Sequence, residues 1–107
     1  MCHCQSCRRA TDGVSVAWAV FTRDSVGSGK LLEYENSPGK YWGNCSECGS
    51  LVVYHRDSRP DHLDITTATL DDPALFPPTV EIWVGEKCEW EVLNPELPHR
   101  LRSSLNE

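Results

Sequence analysis

Two tight cysteine clusters constrain this chain more than any other feature of its sequence. They contain five of the six cysteines in 107 residues: the first cluster is Cys2, Cys4 and Cys7, and the second is Cys45 and Cys48. Thiolates two or three residues apart can converge on one metal ion, and Zn²⁺ prefers four such ligands, or three ligands and an open position. The first cluster therefore has the composition of an open zinc site.

Disulfides and a redox dithiol are the other uses of closely spaced cysteines. A secreted disulfide scaffold would follow an apolar export signal, whereas this chain opens with the first cluster, followed by Arg8 and Arg9. A thioredoxin-like dithiol would lie between a strand and a helix of a βαβ pattern, and neither Cys-x-x-Cys pair has that setting. We therefore interpret the clusters as zinc ligands in a cytoplasmic protein, and Cys88 as a small half-buried residue.

Length and charge narrow the class of protein further. A chain of 107 residues without a linker-like stretch predicts one domain over residues 1–107. Its net charge of −6 disfavours the phosphate backbone of nucleic acid as a partner. It has no apolar run of the roughly 18 residues that a membrane-spanning helix needs. The sequence thus predicts a soluble protein with neither nucleic acid nor a membrane as partner, and it leaves the oligomeric state open.

Short apolar segments alternate with turn signals, which predicts an all-β fold. The first candidate strand, 14–21, carries apolar residues on both faces, so we expect both faces to be covered. Trp18 lies in this strand and is either a core residue or part of a substrate cleft. A short helical turn is expected at 8–11. The further candidate strands are 30–34, 40–42, 51–55, 63–69 and 80–84.

The second cluster has the form of a zinc knuckle, because Cys45 and Cys48 are followed by Gly49 and an apolar strand. Glycine at this position permits the positive φ that turns backbone amides toward the thiolates. Two thiolates leave zinc two ligands short, however, and the first cluster is one ligand short of a closed site.

Several segments together resemble one known family. In chain order they are CHCQSCRRAT, AWAVF, CSECGSLVVY, LDITTATLDDP and the EIW and EWEVL segments, which run from Cys2 to about His99. The sequence resembles the glutathione-dependent formaldehyde-activating enzymes, relatives of centromere protein V. The resemblance implies a β-tent fold, in which two twisted antiparallel sheets carry zinc sites in their loops. It also implies that Cys2, Cys4 and Cys7 hold a zinc ion whose fourth position is open to water or substrate.

The chain departs from the family pattern at two places. In typical members the pair represented here by Cys45 and Cys48 joins an earlier Cys-x-Cys pair in a closed structural zinc site, and that earlier pair is missing. We expect the chain to be truncated at its N-terminus. The alternative is that the structural site is lost, in which case Cys45 and Cys48 recruit Cys2 and Cys4 or stay without metal. The second departure is Glu81, where the family's strand often carries histidine before Ile-Trp.

The resemblance implies a carbon–sulfur lyase, which adds the thiol of glutathione to formaldehyde or reverses that addition. Arg8 and Arg9 lie beside the first cluster and either meet the carboxylates of a glutathione-like ligand or form a solvated basic turn. Trp18 is the third candidate for substrate contact, and His3 is expected to be exposed. The alternative function is a non-catalytic zinc module for protein binding. Three thiolates favour the enzyme, since a purely structural site would prefer a fourth protein ligand.

Overall fold

The computed structural model describes residues 1–27 and 29–102. Within them the chain forms two compact units. The first unit consists of Met1–Trp18 and the chain from Ala74 onward, and the second is Ala19–Pro73. The described residues contain one α-helix and one five-stranded sheet, which confirms the all-β class. They include no helix with the length and apolar character that a bilayer crossing requires.

The second unit is built on the five-stranded sheet. Its strands lie in the order β1-β5-β4-β3-β2, and the pairings of β2 with β3, β3 with β4, and β4 with β5 are antiparallel. The predicted strands 30–34, 40–42, 51–55 and 63–69 correspond to β2 through β5, except that Thr67–Thr69 form a 3-10 helix after β5. The strand bounds are β1 Trp18–Thr22, β2 Leu31–Ser37, β3 Lys40–Cys45, β4 Leu51–Arg56 and β5 His62–Thr66.

Two glycines with positive φ allow the sheet to turn tightly. Gly39, with φ 75°, lies in the two-residue turn between β2 and β3, where Ser37 pairs with Lys40. Gly49, with φ 81°, lies between β3 and β4 just after the second cysteine cluster, as the knuckle pattern predicts. Glycine adopts this backbone conformation without the steric penalty that a Cβ would bring. The turns therefore fix the register of the three strands β2, β3 and β4.

The core of the sheet lies on its central strands. Trp42 on β3 is 3% exposed and packs against Tyr54 on β4, with ring centroids 5.0 Å apart. By contrast, β1 is shorter than predicted and lies at the edge of the sheet. Ala19 is buried, but Val20 is 58% exposed, so the expectation that both faces of this strand are covered is wrong. Apolar residue type indicates a strand there but does not decide which faces find a partner.

The first unit contains the helix α1, Gln5–Thr11, and three isolated β-bridges. The bridges join Cys2 to Val16, Cys2 to Ile82, and Glu81 to His99. The predicted strand 80–84 is thus reduced to bridging residues, because Trp83 has φ 56° and a 3-10 turn follows at Val84–Glu86. Where the resemblance implied two sheets, the described residues hold one five-stranded sheet and these bridges.

Candidate metal centre

The first cluster brings three sulfur atoms together. The Sγ atoms of Cys2, Cys4 and Cys7 all lie within 4.8 Å of one another, and those of Cys2 and Cys7 are 3.4 Å apart. A tetrahedral zinc ion with Zn–S bonds of about 2.3 Å places its sulfurs about 3.8 Å apart. Among residues 1–27 and 29–102, this is the one group of three or more side chains that could hold a metal ion. The donor set and its spacing therefore fit zinc.

Backbone hydrogen bonds hold the cluster from both sides. The Cys2 N–H donates to the Val16 carbonyl at 2.8 Å, and the Val16 N–H returns a bond of 3.0 Å to the Cys2 carbonyl. Cys4 caps α1, because its Sγ accepts the N–H of Cys7 at 3.3 Å. This cap explains why the helix begins three residues before the predicted turn. The local sequence thus places Cys4 and Cys7 through the helix, while Cys2 depends on its isolated β-bridge to Val16.

The three thiols shift one another's pKa values in opposite directions. Hydrogen bonds from Cys2 and Cys7 lower the pKa of Cys4, because both thiols stabilise its thiolate. The pKa of Cys2 is raised by its bond to Cys4, and that of Cys7 is raised by its bonds to Cys2 and Cys4. A second thiolate this close is unfavourable unless a cation compensates for it. A bound divalent metal supplies that charge and allows all three sulfurs to ionise.

The prediction that His3, which lies between Cys2 and Cys4, is exposed is wrong, because its side chain lies in the interior. The residue is 1% exposed, and its Nε2 lies 2.7 Å from Oε1 of Glu81, which is itself 4% exposed. The other carboxylate oxygen of Glu81 accepts the N–H of Asn94 at 3.0 Å. Since an ionised carboxylate only accepts, His3 Nε2 carries the hydrogen.

Glu81 therefore has a defined polar role that the sequence did not reveal. Burial would raise the pKa of this carboxyl, but its hydrogen bonds from Asn94 and His3 hold the pKa below its usual value. The pairing joins residues 78 positions apart. A glutamate between two apolar residues, Val80 and Ile82, was the one local signal that its side chain had an unusual partner.

The predicted substrate contacts differ in their surroundings. The Arg8 guanidinium donates to the Glu86 carbonyl at 3.0 Å and to Cys88 Sγ at 3.7 Å. Arg9 is exposed, while Trp18 is half-buried at the start of β1. Cys88 is half-buried, which confirms its predicted placement. Contact of Arg8, Arg9 and Trp18 with a substrate stays a prediction.

The second cluster lies at the end of β3 and in the turn that follows. Cys45 is half-buried and Cys48 is exposed. The Gly49 N–H donates to the Cys45 carbonyl at 2.8 Å, and the Cys45 N–H donates to the Ser50 carbonyl at 2.8 Å. The hydroxyl of Ser50, 3.3 Å from Cys48 Sγ, is the main cause of a lowered pKa at Cys48. Metal binding by this pair stays a prediction.

Fold and cluster together define a small β-rich protein with a cysteine centre that can hold a metal ion. Residues 1–86 match the family described as glutathione-dependent formaldehyde-activating enzyme. The chain belongs to this family, which confirms the resemblance seen in its motifs. No curated protein sequence gives a significant match to the chain.

A solved structure supports the fold independently. The chain is similar to a Rhodobacter sphaeroides protein of known crystal structure, with a TM-score of 0.52. The alignment covers 92% of this chain and 76% of that protein, at 20% sequence identity. At this level of identity the likeness establishes the fold alone.

Proposed function

We propose that this protein is a zinc-dependent carbon–sulfur lyase that forms and cleaves the adduct between a thiol such as glutathione and a small aldehyde such as formaldehyde. The family supports formaldehyde activation with glutathione in general terms. The observation that carries the finer proposal is the convergence of three sulfur atoms within 4.8 Å, at Cys2, Cys4 and Cys7. Three protein ligands are typical of a catalytic zinc site, which keeps a position for substrate or water.

The reaction forms one carbon–sulfur bond and moves one proton from sulfur to oxygen. In the direction of synthesis, the thiol sulfur bonds to the carbonyl carbon, and the C=O π electrons pass to oxygen. The proton that the thiol loses ends on that oxygen, and the product is an S-hydroxymethyl adduct. Cleavage reverses these steps, and nothing is oxidised or reduced in either direction.

The cysteines supply the metal site for this chemistry. Cys2, Cys4 and Cys7 would hold the zinc ion, which would supply Lewis acidity that lowers the pKa of a thiol and polarises an aldehyde oxygen. Cys2 and Cys7 are buried and exclude water from one side of the cluster, whereas Cys4 is half-buried. We therefore place the approach of substrate on the side of Cys4.

The two arginines have different parts in this proposal. Arg8 already donates to Glu86 and Cys88, so it is expected to connect α1 to residues 86–88 rather than to bind substrate. Arg9 is exposed and can turn toward a ligand in solution. A charge-assisted hydrogen bond from Arg9 to a glutathione carboxylate is therefore expected. Trp18 is the proposed apolar contact.

Cobalt substitution tests the proposed site directly. Co²⁺ in place of zinc gives a ligand-field spectrum and a sulfur-to-metal charge-transfer band, both of which respond to a fourth thiolate. We expect glutathione to change both signals, and S-methylglutathione, which has the same carboxylates but no free thiol, to leave the charge-transfer band unchanged. A spectrum that millimolar glutathione does not alter would overturn the proposal in favour of a non-catalytic zinc module.

Turnover is measured separately by following the adduct of glutathione and formaldehyde with NMR. The variant with Cys45→Ser and Cys48→Ser is the matched control, because it removes two cysteines from the second unit and leaves the first cluster intact. We expect this variant to exchange the adduct at the parent rate. The variant with serine at positions 2, 4 and 7 is expected to show only the uncatalysed rate.

A further inference from the structure

Between two of the proposed ligands the chain buries a polar side chain that the reaction does not use. We propose that His3 and Glu81 are positioning residues, whose hydrogen bond fixes the backbone from Cys2 to Cys4 so that the three sulfurs converge on the metal. This inference rests on the proposed metal role of the cluster. Neither residue is assigned as a ligand or as a group that touches substrate.

The pair is among the most deeply buried polar features of the described chain. His3 is 1% exposed and Glu81 is 4% exposed, and their Nε2 and Oε1 atoms are 2.7 Å apart. A buried polar pair contributes little to stability compared with apolar residues of the same shape. The free-energy cost of burying the pair is explained if the pair orients a segment that apolar packing would leave less well ordered. Here that segment includes Cys2 and Cys4, the two cysteines on either side of His3.

Glu81 provides a rigid anchor for this orientation. Its N–H donates to the Pro98 carbonyl at 2.9 Å, its carbonyl accepts the Arg100 N–H at 2.8 Å, and its Oε2 accepts the Asn94 N–H at 3.0 Å. Backbone and side chain are therefore both tied to the segment 94–100. Oε1 remains for His3, so the imidazole is attached to a carboxylate that has little freedom to move.

The backbone and the side chain of His3 both bond to residues 81–82. The His3 N–H donates to the Ile82 carbonyl at 3.0 Å, and the Ile82 N–H donates to the Met1 carbonyl at 2.8 Å. These bonds enclose Cys2. The side-chain bond to Glu81 adds a second attachment of His3 to residues 81–82, and we infer that the two attachments together restrain the Cys2–Cys4 segment.

The geometry separates positioning from ligation. The group of side chains that could hold a metal is Cys2, Cys4 and Cys7, without His3. His3 Nε2 already donates to Glu81, and its Nδ1 is buried without a hydrogen-bond partner among the described residues. An effect of His3 on the metal is thus expected to require Glu81.

The test is the affinity for Co²⁺, measured by competition with a coloured chelator, together with the cobalt spectrum. We expect Glu81→Ala and His3→Ala each to weaken binding by about 10–100-fold, the range found when partners outside the ligand shell are removed. His3→Gln places an amide N–H near the position of Nε2 and is expected to recover most of the loss. The double alanine variant should lose no more than either single variant, because the two residues act as one unit.

Two controls separate positioning from general destabilisation. Glu33→Ala breaks the other histidine–glutamate contact, His55 Nε2 to Glu33 Oε2 at 2.7 Å, in the second unit. Val53 is 7% exposed, so Val53→Ala creates a cavity in the core of the sheet and lowers stability without touching the cluster. Both controls are expected to bind Co²⁺ like the parent at a temperature where every variant is folded by circular dichroism.

The outcomes separate this proposal from the proposed function. If the parent fails to bind Co²⁺ through three thiolates, the proposed metal role is wrong. If the parent binds and both alanine variants bind equally well, the positioning role alone is wrong. A loss with His3→Ala but none with Glu81→Ala would also overturn it, since His3 would then act without its anchor. Glu81→Met keeps a side chain of similar length but has no oxygen to accept from His3, and it replaces Glu81→Ala in this comparison if the alanine variant does not fold.

Discussion

The two units each contain a cysteine group and a histidine–glutamate contact, yet the surroundings of these features differ. In the first unit, Cys2 and Cys7 are buried and the His3–Glu81 contact is almost fully covered. In the second unit, Cys48 is exposed, and Glu33 in the matching contact has 47% of its side chain exposed. Both histidine–glutamate distances are 2.7 Å. Cysteine spacing and the histidine–glutamate distance alone therefore do not distinguish the two units, whereas the exposure of the side chains does.

The largest expected effect is on metal content. Replacing Cys2, Cys4 and Cys7 by serine should remove about one zinc per chain, because the buried cluster then loses all its soft ligands. Replacing Cys45 and Cys48 should leave that zinc in place. Elemental analysis of the purified variants measures both. Equal zinc content in the parent and the triple variant would break the comparison.

The order of metal release is the second way to sharpen the comparison. Any metal at Cys45 and Cys48 should leave at lower chelator concentration than metal at the first cluster, because two thiolates supply only half of a tetrahedral shell. Titration with a chelator, followed by elemental analysis, gives the two midpoints in the parent. The variant lacking Cys45 and Cys48 should lose the earlier step only. A single, tight step that involves both clusters would contradict this expectation.

The histidine–glutamate contacts should differ in their contribution to stability. Glu81→Ala is expected to lower the free energy of unfolding by about 2–4 kcal/mol, since it leaves His3 buried without its partner. Glu33→Ala should lower it by less than about 1 kcal/mol, because the Glu33 side chain is 47% exposed to solvent. Urea denaturation of the metal-free proteins measures both values. Equal losses would show that burial does not distinguish the two contacts.

The smallest effect is on pH dependence in the second unit. Burial raises the pKa of Asp64 above 3.8, although Arg59 lies 3.5 Å away and opposes the shift. The folded state therefore holds this proton more tightly than the unfolded state, so the linked stability is fully present below pH 3.8 and is lost as pH rises through the higher folded value.

Asp64→Asn is expected to remove this loss and to change stability at neutral pH by less than about 1 kcal/mol. Melting temperatures of the metal-free parent and variant between pH 3 and 7 provide the measurement. The difference between the two proteins should grow as pH rises. Glu81, whose pKa is held low, has the opposite sign, because its contribution is lost as pH falls. Parallel curves for parent and Asp64→Asn would contradict the assignment.

Local patterns in the sequence were sufficient for part of the fold and of the site. Strands β3 and β4 and the positive φ of Gly49 follow from short apolar segments and turn chemistry, which act over a few positions. The convergence of Cys4 and Cys7 also follows from short spacing, since one helical turn separates them. The predicted strand at 80–84 failed because Trp83 adopts a left-handed conformation that no residue preference indicates.

The remaining features depend on contacts between distant parts of the chain. His3 looks like a residue that faces solvent until Glu81 is placed beside it, and nothing near either residue specifies that pairing. In the same way, the edge position of β1 depends on the order of the whole sheet. The sequence shows which residues of a strand are apolar, but the order of the strands in the sheet decides which of them are covered.

The separation between His3 and Glu81 has a consequence for how the protein is made. The ribosome synthesises Glu81 78 residues after His3. At about 5–20 residues per second, this interval lasts roughly 4–16 s. During that time the first three cysteines have left the ribosomal active site while their anchoring segment does not yet exist. The thiols of Cys2, Cys4 and Cys7 are therefore translated well before the residue that anchors His3, and during that interval the His3–Glu81 contact cannot hold them in place.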